Sequence, residues 1–197
     1  MIGYDFDKTI LACDSTVEFY KFCLKRTPRL WLNVFYQMGI GLAFKLGLMK
    51  KTTYKERMYS FLKYVKNIDQ TIEKFWDKMQ GKVYKYYLRQ RRDDDVIISA
   101  SPEFLLKPII DRINPNATLI ASRVNKFTGK YTGLNCYGVE KLNRFHEVYG
   151  DVRLEAFYSD SMSDAPMFRQ AEKQYLIKKG QIQRIDTISK IMNGFNY

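Results

Sequence analysis

The chain has 197 residues, of which 46% are hydrophobic and 27% are charged. This composition is close to that of an average soluble globular domain, so it excludes a disordered chain, a collagen-like repeat and a disulfide-rich scaffold. Lys and Arg number 33 against 21 Asp and Glu, a net charge of +12, which permits a phosphate-bearing partner such as a nucleic acid, an anionic membrane or a phosphorylated small molecule.

The positive charge is concentrated in one stretch of the chain. Residues 21–92 contain 18 Lys and Arg and four acidic residues, a net charge of +14, whereas the other residues together carry −2. This shift in composition predicts a basic unit inserted into a nearly neutral core. We therefore expect the core to comprise residues 1–15 and 93–197, and the insertion to comprise residues 16–92.

Short apolar runs bounded by polar residues predict strands that are buried on both faces of a parallel sheet. In chain order these runs are residues 2–6, 96–98, 118–121, 154–158 and 175–177. Helical patterns occupy two segments of the insertion and three of the core, namely residues 54–66, 72–88, 103–113, 139–149 and 165–172. Residues 125–132, with Thr128-Gly129 at their centre, predict a hairpin. The alternation of strands and helices favours an α/β fold with a parallel sheet.

Pairs of aspartates follow two of the predicted strands. Asp5 and Asp7 come directly after the first strand, and Asp160 and Asp164 follow the fourth. The carboxyl ends of parallel strands face the crevice in which α/β proteins bind ligands. Acidic residues gathered there repel one another unless a cation is present, and ligation by oxygen atoms alone favours Mg²⁺.

Two further motifs are compatible with an anion beside that cation. Ser99 ends the second strand and Ser101-Pro102 opens a helix, so a hydroxyl group lies next to helix N-terminal amides. Lys141 lies near the start of a later helix, where the helix dipole disfavours a cation and a bound phosphate group would explain it. Taken alone, the serine is equally explained by helix capping and the lysine by a solvated surface position.

In this order, the four motifs resemble those of the haloacid dehalogenase superfamily of phosphohydrolases, and most of all its phosphoserine phosphatase-like branch, subfamily IB. The motifs are Asp5-Phe6-Asp7-Lys8-Thr9, Ser99, Lys141 and Asp160 with Asp164. The resemblance implies a Rossmann-like parallel-sheet core with a helical cap inserted after the first strand. It also implies a Mg²⁺-dependent hydrolase of a small phosphomonoester, such as a phosphoserine-like substrate, that acts through an aspartyl-phosphate intermediate.

The resemblance further implies a role for each motif residue. Asp5 would be the nucleophile, and Asp7 would protonate the leaving alcohol and then activate water, with a raised pKa because neighbouring carboxylates resist ionising together. The groups that bind phosphoryl oxygens would be Thr9, Ser99 and Lys141. In catalysis the lysine would also offset the repulsion between the attacking carboxylate and the negatively charged phosphate. The Mg²⁺ ligands would be Asp5, the backbone carbonyl of Asp7 and Asp160. Asp164 would orient the metal's ligands or the lysine.

The sequence also departs from the pattern of that branch. Serines replace the glycines and the asparagine of the fourth motif, at Ser159, Ser161 and Ser163, and Ala100-Ser101-Pro102 follows the motif serine in place of two glycines. Asp14 stands where the branch has a glutamate, and Arg57 where its substrate-binding arginine would fall. Asp14 and Arg57 are therefore candidate substrate contacts, although a solvated loop aspartate and a surface arginine explain them equally well.

The apolar run of residues 30–49 contains one charged residue, Lys45, and is long enough to span a bilayer. A span there would place Asp5 and the later motifs on opposite sides of the membrane, which excludes it. The first remaining interpretation is a cap helix or helical hairpin packed on its neighbours and interrupted near Gly39 and Gly41. The second is a membrane-surface helix whose aromatic residues and flanking cations bind anionic lipid, as would suit a phosphatase of a membrane lipid phosphate such as phosphatidylglycerophosphate.

Two broader expectations concern partners and location. Three tyrosines (Tyr84, Tyr86, Tyr87) lie beside three arginines (Arg89, Arg91, Arg92), a pattern that could stack bases and bind phosphates. No known nucleic-acid-binding motif occurs, so we expect no nucleic-acid partner and keep a basic nucleic-acid-binding protein without turnover as the weakest alternative. The three cysteines are an odd number without CxxC spacing, and no signal-peptide pattern opens the sequence. We therefore expect a cytoplasmic protein, with peripheral contact to an anionic membrane as the alternative.

Overall fold

The computed structural model describes residues 1–49 and 51–185. Its strands are β1 (Ile2–Tyr4), β2 (Val96–Pro102), β3 (Thr118–Ser122), β4 (Leu154–Ser159), β5 (Ala171–Lys178) and β6 (Gln181–Arg184). They form one sheet in the order β3-β2-β1-β4-β5-β6, in which neighbours pair in parallel except for β6, which is antiparallel to β5. The predicted α/β fold with a parallel-sheet core is confirmed, and β6 is an edge strand that the sequence analysis did not predict.

The segment between β1 and β2 is helical, as the sequence predicted. It contains α1 (Ser15–Leu24), α2 (Leu30–Lys45), α3 (Lys51–Met58), α4 (Ile68–Met79) and α5 (Lys85–Gln90). The later helices are α6 (Glu103–Ile113), α7 (Val139–Tyr149) and α8 (Ala165–Arg169). Short 3₁₀ helices lie at Tyr59–Tyr64, Gln80–Lys82 and Met162–Asp164.

Several predicted helix boundaries were wrong. The predicted helix of residues 54–66 changes to a 3₁₀ helix after Met58, and that of residues 72–88 is broken around Gly81, because glycine is a poor helix former. Conversely, α2 continues through Gly39 and Gly41 without the expected interruption. The predicted helix of residues 165–172 ends at Arg169, since the next residues pair with β4.

The sheet is covered on both faces by helices. The helices α4, α5 and α6 pack on one face, where Trp76 donates its indole N–H to the carbonyl oxygen of Leu105 at 2.7 Å. The helices α7 and α8 pack on the other face through Phe145 and Phe168. One buried apolar cluster therefore runs from the sheet into the inserted segment, and the division of the chain at residues 15 and 93 stays a prediction.

A loop of the core braces the inserted segment. The predicted hairpin of residues 125–132 is a turn in which an isolated bridge joins Val124 to Tyr131. The amide of Tyr131 donates to Glu56 at 3.1 Å, and Lys126 forms an ion pair with Asp69 at 2.6 Å. Gly129 has a φ of +75°, and a Cβ atom there would lie 2.5 Å from the carbonyl oxygen of Tyr59, so only glycine permits this approach.

The central position of β1 determines where the site forms. It lies between β2 and β4, and Gly3 allows close packing because a Cβ there would lie 2.7 Å from the Leu154 side chain. The three strands end side by side, which brings Asp5, Ser99 and Asp160 to the same edge of the sheet. This is the edge at which parallel α/β sheets bind ligands.

Candidate active site

The turn after β1 directs both of its aspartate side chains towards one cavity. The Asp5 amide donates to the carbonyl oxygen of Tyr158 at 2.9 Å, which continues the pairing with β4, and the chain then turns so that the Ile10 amide donates to Phe6 at 2.9 Å. The Phe6 side chain points into the apolar core, where its ring meets that of Trp76 edge to face. The two carboxylates on either side of Phe6 therefore face the cavity.

That cavity has a volume of about 440 Å³. Most of the predicted site residues line it, namely Asp5, Asp7, Asp14, Ser99, Lys141, Asp160 and Asp164. Thr9 is fully buried beneath the cavity, and its hydroxyl donates to Asp5 at 3.4 Å. Arg57 is exposed and does not line the cavity.

Lys141 forms a buried ion cluster with two aspartates. Its ammonium lies 2.6 Å from Asp5 and 2.7 Å from Asp164, and Ser159 donates a further hydrogen bond to Asp164 at 2.7 Å. Burial alone would lower the pKa of Lys141, but the charges of the two aspartates raise it above its ordinary value. Burial raises the pKa of Asp5 to about 7. The charge of Lys141 opposes this shift, and the charges of Asp164 and Asp7 add to it.

Asp7 is held at both of its oxygens. The Ser15 amide at the start of α1 donates to Oδ1 at 2.6 Å, and the Ser101 hydroxyl donates to Oδ2 at 2.5 Å. Burial raises the pKa of Asp7 to about 6, the charge of Asp14 adds to the shift, and both hydrogen bonds oppose it. The direction agrees with the sequence analysis, but burial contributes more than the neighbouring carboxylate.

Ser101 is a site residue that the sequence analysis interpreted only as the start of a helix. The pairing of β2 with β3 shifts between Ser99 and Pro102, and such an irregularity redirects side chains. As a result both serines are buried, and the Ser101 amide donates to the Ser99 hydroxyl at 3.1 Å. Because this irregularity depends on the pairing with β3, the sequence of β2 alone carries no signal that could have identified Ser101.

The fourth motif forms a turn stabilised by its serines. Ser161 caps the short 3₁₀ helix by accepting the amide of Ser163, and the two hydroxyls lie 2.9 Å apart. Asp160 is partly buried, which raises its pKa, and the charge of Lys8 opposes that shift. Within residues 1–49 and 51–185, no hydrogen bond to the Asp160 carboxylate is found, although its backbone carbonyl accepts one from Lys178.

The inserted segment contributes Lys55 to the cavity instead of Arg57. The Lys55 ammonium donates to Asn135 at 3.1 Å and to the carbonyl oxygen of Ala100 at 3.4 Å. Two residues on a helix that are two positions apart point in different directions, so α3 directs Lys55, with its neighbours Tyr54 and Met58, towards the cavity and leaves Arg57 exposed. Asp14 lines the cavity and also caps α1 by accepting the amide of Val17 at 2.9 Å.

Solved structures of other proteins share this fold. A Bordetella pertussis Tohama I protein of unknown function aligns with a TM-score of 0.73 and 18% identity over 88% of this chain and 87% of that one. A phosphoserine phosphohydrolase-like protein from Francisella tularensis aligns with a TM-score of 0.53 and 18% identity over 88% of this chain and 84% of that one. A phosphoserine phosphatase, described as a phospho-aspartyl intermediate analogue, aligns with a TM-score of 0.54 and 16% identity over 88% of this chain and 83% of that one.

Sequence comparison gives the family. The comparison with curated proteins produced no significant match. The model of the haloacid dehalogenase-like hydrolase family matches residues 2–169, which covers all four motifs. The chain therefore belongs to the haloacid dehalogenase-like hydrolases, the superfamily that its motifs resemble.

Proposed function

We propose that the protein is a phosphatase that hydrolyses a phosphomonoester through an aspartyl-phosphate formed on Asp5. The observation that carries this proposal is the buried cluster in which Lys141 bridges Asp5 and Asp164 at the end of β1. A lysine in that position can bind a phosphoryl oxygen while it lowers the repulsion between the anionic nucleophile and the substrate. The fold shared with a phosphoserine phosphatase supports the same chemistry.

The donor groups present suit Mg²⁺. The residues that line the cavity include five aspartates and three lysines, so the lining is net negative in a chain of net charge +12. Asp5, the backbone carbonyl of Asp7 and Asp160 would hold the ion. The described residues contain no cluster of three or more His, Cys, Asp or Glu side chains arranged for a metal, but Mg²⁺ keeps several waters and needs only one or two carboxylates. When bound, it supplies positive charge to the phosphoryl oxygens.

The chain's own groups would then divide the reaction into two steps. In the first, an Asp5 oxygen forms a bond to phosphorus, the bond from phosphorus to the leaving oxygen breaks, and Asp7 gives its proton to that oxygen. In the second, Asp7 takes a proton from water as the water oxygen forms a bond to phosphorus, the bond from phosphorus to the Asp5 oxygen breaks, and inorganic phosphate leaves with the Asp5 carboxylate restored. Because its pKa is raised to about 6, Asp7 is close to the range in which a carboxyl group can both donate and accept a proton.

The remaining site residues would recognise the substrate. Ser99 and Lys141 lie at the cavity and would bind phosphoryl oxygens, with Thr9 holding Asp5 from below. We propose a small phosphomonoester as the substrate, with Asp14 and Lys55 contacting the part beyond the phosphate. The predicted contact at Arg57 stays a prediction. A lipid phosphomonoester is the second candidate, favoured by the exposed apolar residues of α2.

A substrate panel tests the proposal. Phosphomonoesters of both small molecules and lipids are incubated with the protein, with and without Mg²⁺, and released phosphate is measured. We expect Mg²⁺-dependent turnover that Asp5→Asn abolishes and that the matched surface variant Asp93→Asn leaves unchanged. Turnover by Asp5→Asn at the wild-type rate, on any accepted substrate, would contradict the proposed nucleophile.

A further inference from the structure

Helix α2 is attached to the protein by one face only. Its inner face buries Leu30, Gln37 and Ile40, and the Gln37 side chain donates to the carbonyl oxygen of Met58 at 2.8 Å. Its other face and the turn after it carry large apolar side chains that are between 59% and 79% exposed. These side chains, here called the α2 outer face, are Trp31, Leu32, Phe35, Met38, Leu42, Leu46 and Leu48.

The α2 outer face forms a continuous strip. Trp31, Phe35, Met38 and Leu42 are separated by three or four residues, so they follow one line along the helix. A helix of 16 residues is about 24 Å long at a rise of about 1.5 Å per residue. Apolar side chains exposed singly are normal, but a contiguous strip of this kind marks an interaction surface.

The segment that carries this strip is rich in positive charge. Residues 25–66 contain ten Lys and Arg residues, of which Lys55 faces the cavity, and one acidic residue, Glu56. A groove between α2 and the 3₁₀ helix Tyr59–Tyr64 is lined by the cations Arg29 and Lys63 together with Tyr36 and Tyr64. The surface thus combines apolar side chains with cations, and it has almost no negative charge.

We propose that the α2 outer face binds the surface of an anionic phospholipid bilayer. Apolar residues enter the boundary between headgroups and acyl chains, while Arg29 and Lys63 meet lipid phosphates. Trp31 and Tyr36 belong to the residue types that favour this boundary. The described residues contain no helix that is both long and apolar enough to cross a membrane, so α2 lies along the surface.

The positive charge near the α2 outer face favours a bilayer over a second copy of the chain as its binding partner. Pairing two α2 outer faces would bring two strongly basic surfaces together, and like charges oppose such contact. An anionic bilayer offers the charge that complements Arg29 and Lys63 beside the strip. This proposal does not depend on the proposed phosphatase activity, because binding is measured without a substrate.

The two tryptophans provide a direct measurement. Trp31 is 62% exposed, whereas Trp76 is fully buried with its indole N–H already bonded, so a spectral change on binding reports on Trp31. The full chain is mixed with vesicles of phosphatidylglycerol and phosphatidylcholine, and separately with vesicles of phosphatidylcholine alone. We expect co-sedimentation and a blue shift of the tryptophan emission with the anionic vesicles only, weakening as salt rises.

Paired variants identify the surface. Arg29→Gln with Lys63→Gln should weaken binding about 25-fold, since each basic residue near an anionic membrane contributes about 1 kcal/mol. Phe35→Ser with Leu42→Ser should weaken it at least about 100-fold, because buried apolar side chains contribute about 1.5–3 kcal/mol each. Val148→Ser is the matched control, since Val148 is 57% exposed on α7, far along the chain from α2, and it should bind like the wild type. Circular dichroism shows that each variant is folded.

Four outcomes would overturn the proposal. They are the absence of vesicle binding at low salt, equal binding to neutral vesicles, an unchanged emission of Trp31 in the bound state, and an equal loss of binding in Val148→Ser. Concentration-dependent dimerisation through the same residues without vesicle binding would assign the surface to a second copy. A blue shift caused by a DNA oligonucleotide but not by vesicles would assign it to nucleic acid.

Discussion

The cavity and the α2 outer face both depart from the usual division between a polar surface and an apolar interior, but in opposite ways. In the cavity, Asp5, Lys141 and Asp164 are charged groups that are almost fully buried. On α2, Trp31 and Phe35 are apolar groups that are mostly exposed. Buried charges are stable only when they are paired, so substitutions in the cavity should affect stability as well as activity. Substitutions on α2 should affect neither.

The largest effect is expected from Lys141→Met. Without the lysine, the buried charges of Asp5 and Asp164 lose their partner, which should cost about 3–5 kcal/mol in the free energy of unfolding and about 10³-fold in turnover. Urea unfolding and phosphate release measure the two effects. The control is Lys107→Met, which removes an exposed ion pair with Asp111 worth at most about 1 kcal/mol. Equal stability of the two variants would contradict the assigned role of the buried cluster.

The second prediction separates the two aspartates of the fourth motif. Asp160 is the proposed Mg²⁺ ligand, whereas Asp164 is occupied by Lys141 and Ser159. Removing a group that only supports the ligands typically costs about 10–100-fold in metal affinity, and removing a ligand should cost more. Calorimetry should therefore show weaker Mg²⁺ binding for Asp160→Ala than for Asp164→Ala, and the reverse order would refute the assignment.

A buried carboxyl group outside the cavity tests whether burial alone shifts a pKa. Asp95 at the start of β2 is fully buried, which raises its pKa from 3.8 to about 6. The folded protein then keeps a proton that the unfolded chain releases, so this contribution to stability is complete below about pH 4 and is lost as pH rises through 6. The change should be about 2–3 kcal/mol. Asp95→Asn should remove it when unfolding by urea is compared at pH 4 and 7, and an unchanged difference would contradict the prediction.

A smaller effect is expected at Ser101. Its hydroxyl donates to the Asp7 carboxylate, and a hydrogen bond to a charged group is worth about 1.5–3 kcal/mol. Ser101→Ala should lower kcat about tenfold and leave KM nearly unchanged, because Asp7 is the proposed proton donor to the leaving group. Ser15→Ala removes a hydroxyl that contacts Ser101 but keeps the amide that binds Asp7, so its kcat should fall less. Steady-state kinetics of the two variants provide the comparison.

The smallest effect is expected on α2. Phe35→Ser should change the free energy of unfolding by less than about 0.5 kcal/mol, as is usual for exposed positions. Phe75→Ser, at a fully buried position of α4, should cost about 3–5 kcal/mol through the cavity it leaves. Denaturant unfolding measures both. A large loss in Phe35→Ser would show that the α2 outer face is packed against the protein in solution.

The sequence was most informative where local patterns determine structure. Buried parallel strands read as short apolar runs, so the order and approximate position of β1 to β5 were predictable. Asp5 and Asp160 were predictable as neighbours because each directly follows one of those strands, whereas Ser99, which the sequence analysis placed at the end of β2, lies within a strand that continues to Pro102. The boundaries of α3 and α4 were not, since the change to a 3₁₀ helix depends on packing rather than on the spacing of apolar residues.

Features that depend on contacts between distant segments were missed. The role of Ser101 depends on an irregularity in the pairing of β2 with β3, and such pairing has no signature in one strand alone. Lys55 faces the cavity because of how α3 is rotated, which the periodicity of a short helix with few apolar residues does not fix. Lys8 adopts a φ of +59° in the turn that carries Asp5 and Asp7, a conformation that is uncommon for residues other than glycine.

The loop of residues 123–135 belongs to the core and packs against the inserted segment. The contact lies on the side where that segment contributes Lys55 and Tyr59 to the cavity. Its contacts with Glu56, Asp69 and Tyr59 hold this part of the insertion against the core. In kinetic terms, any widening of the cavity on this side must break those contacts, so the entry of a large substrate or the exit of a product by that route would be slowed by them. Turnover that is limited by release, a common situation in enzymes with closing segments, would then depend on a loop that takes no part in the chemistry.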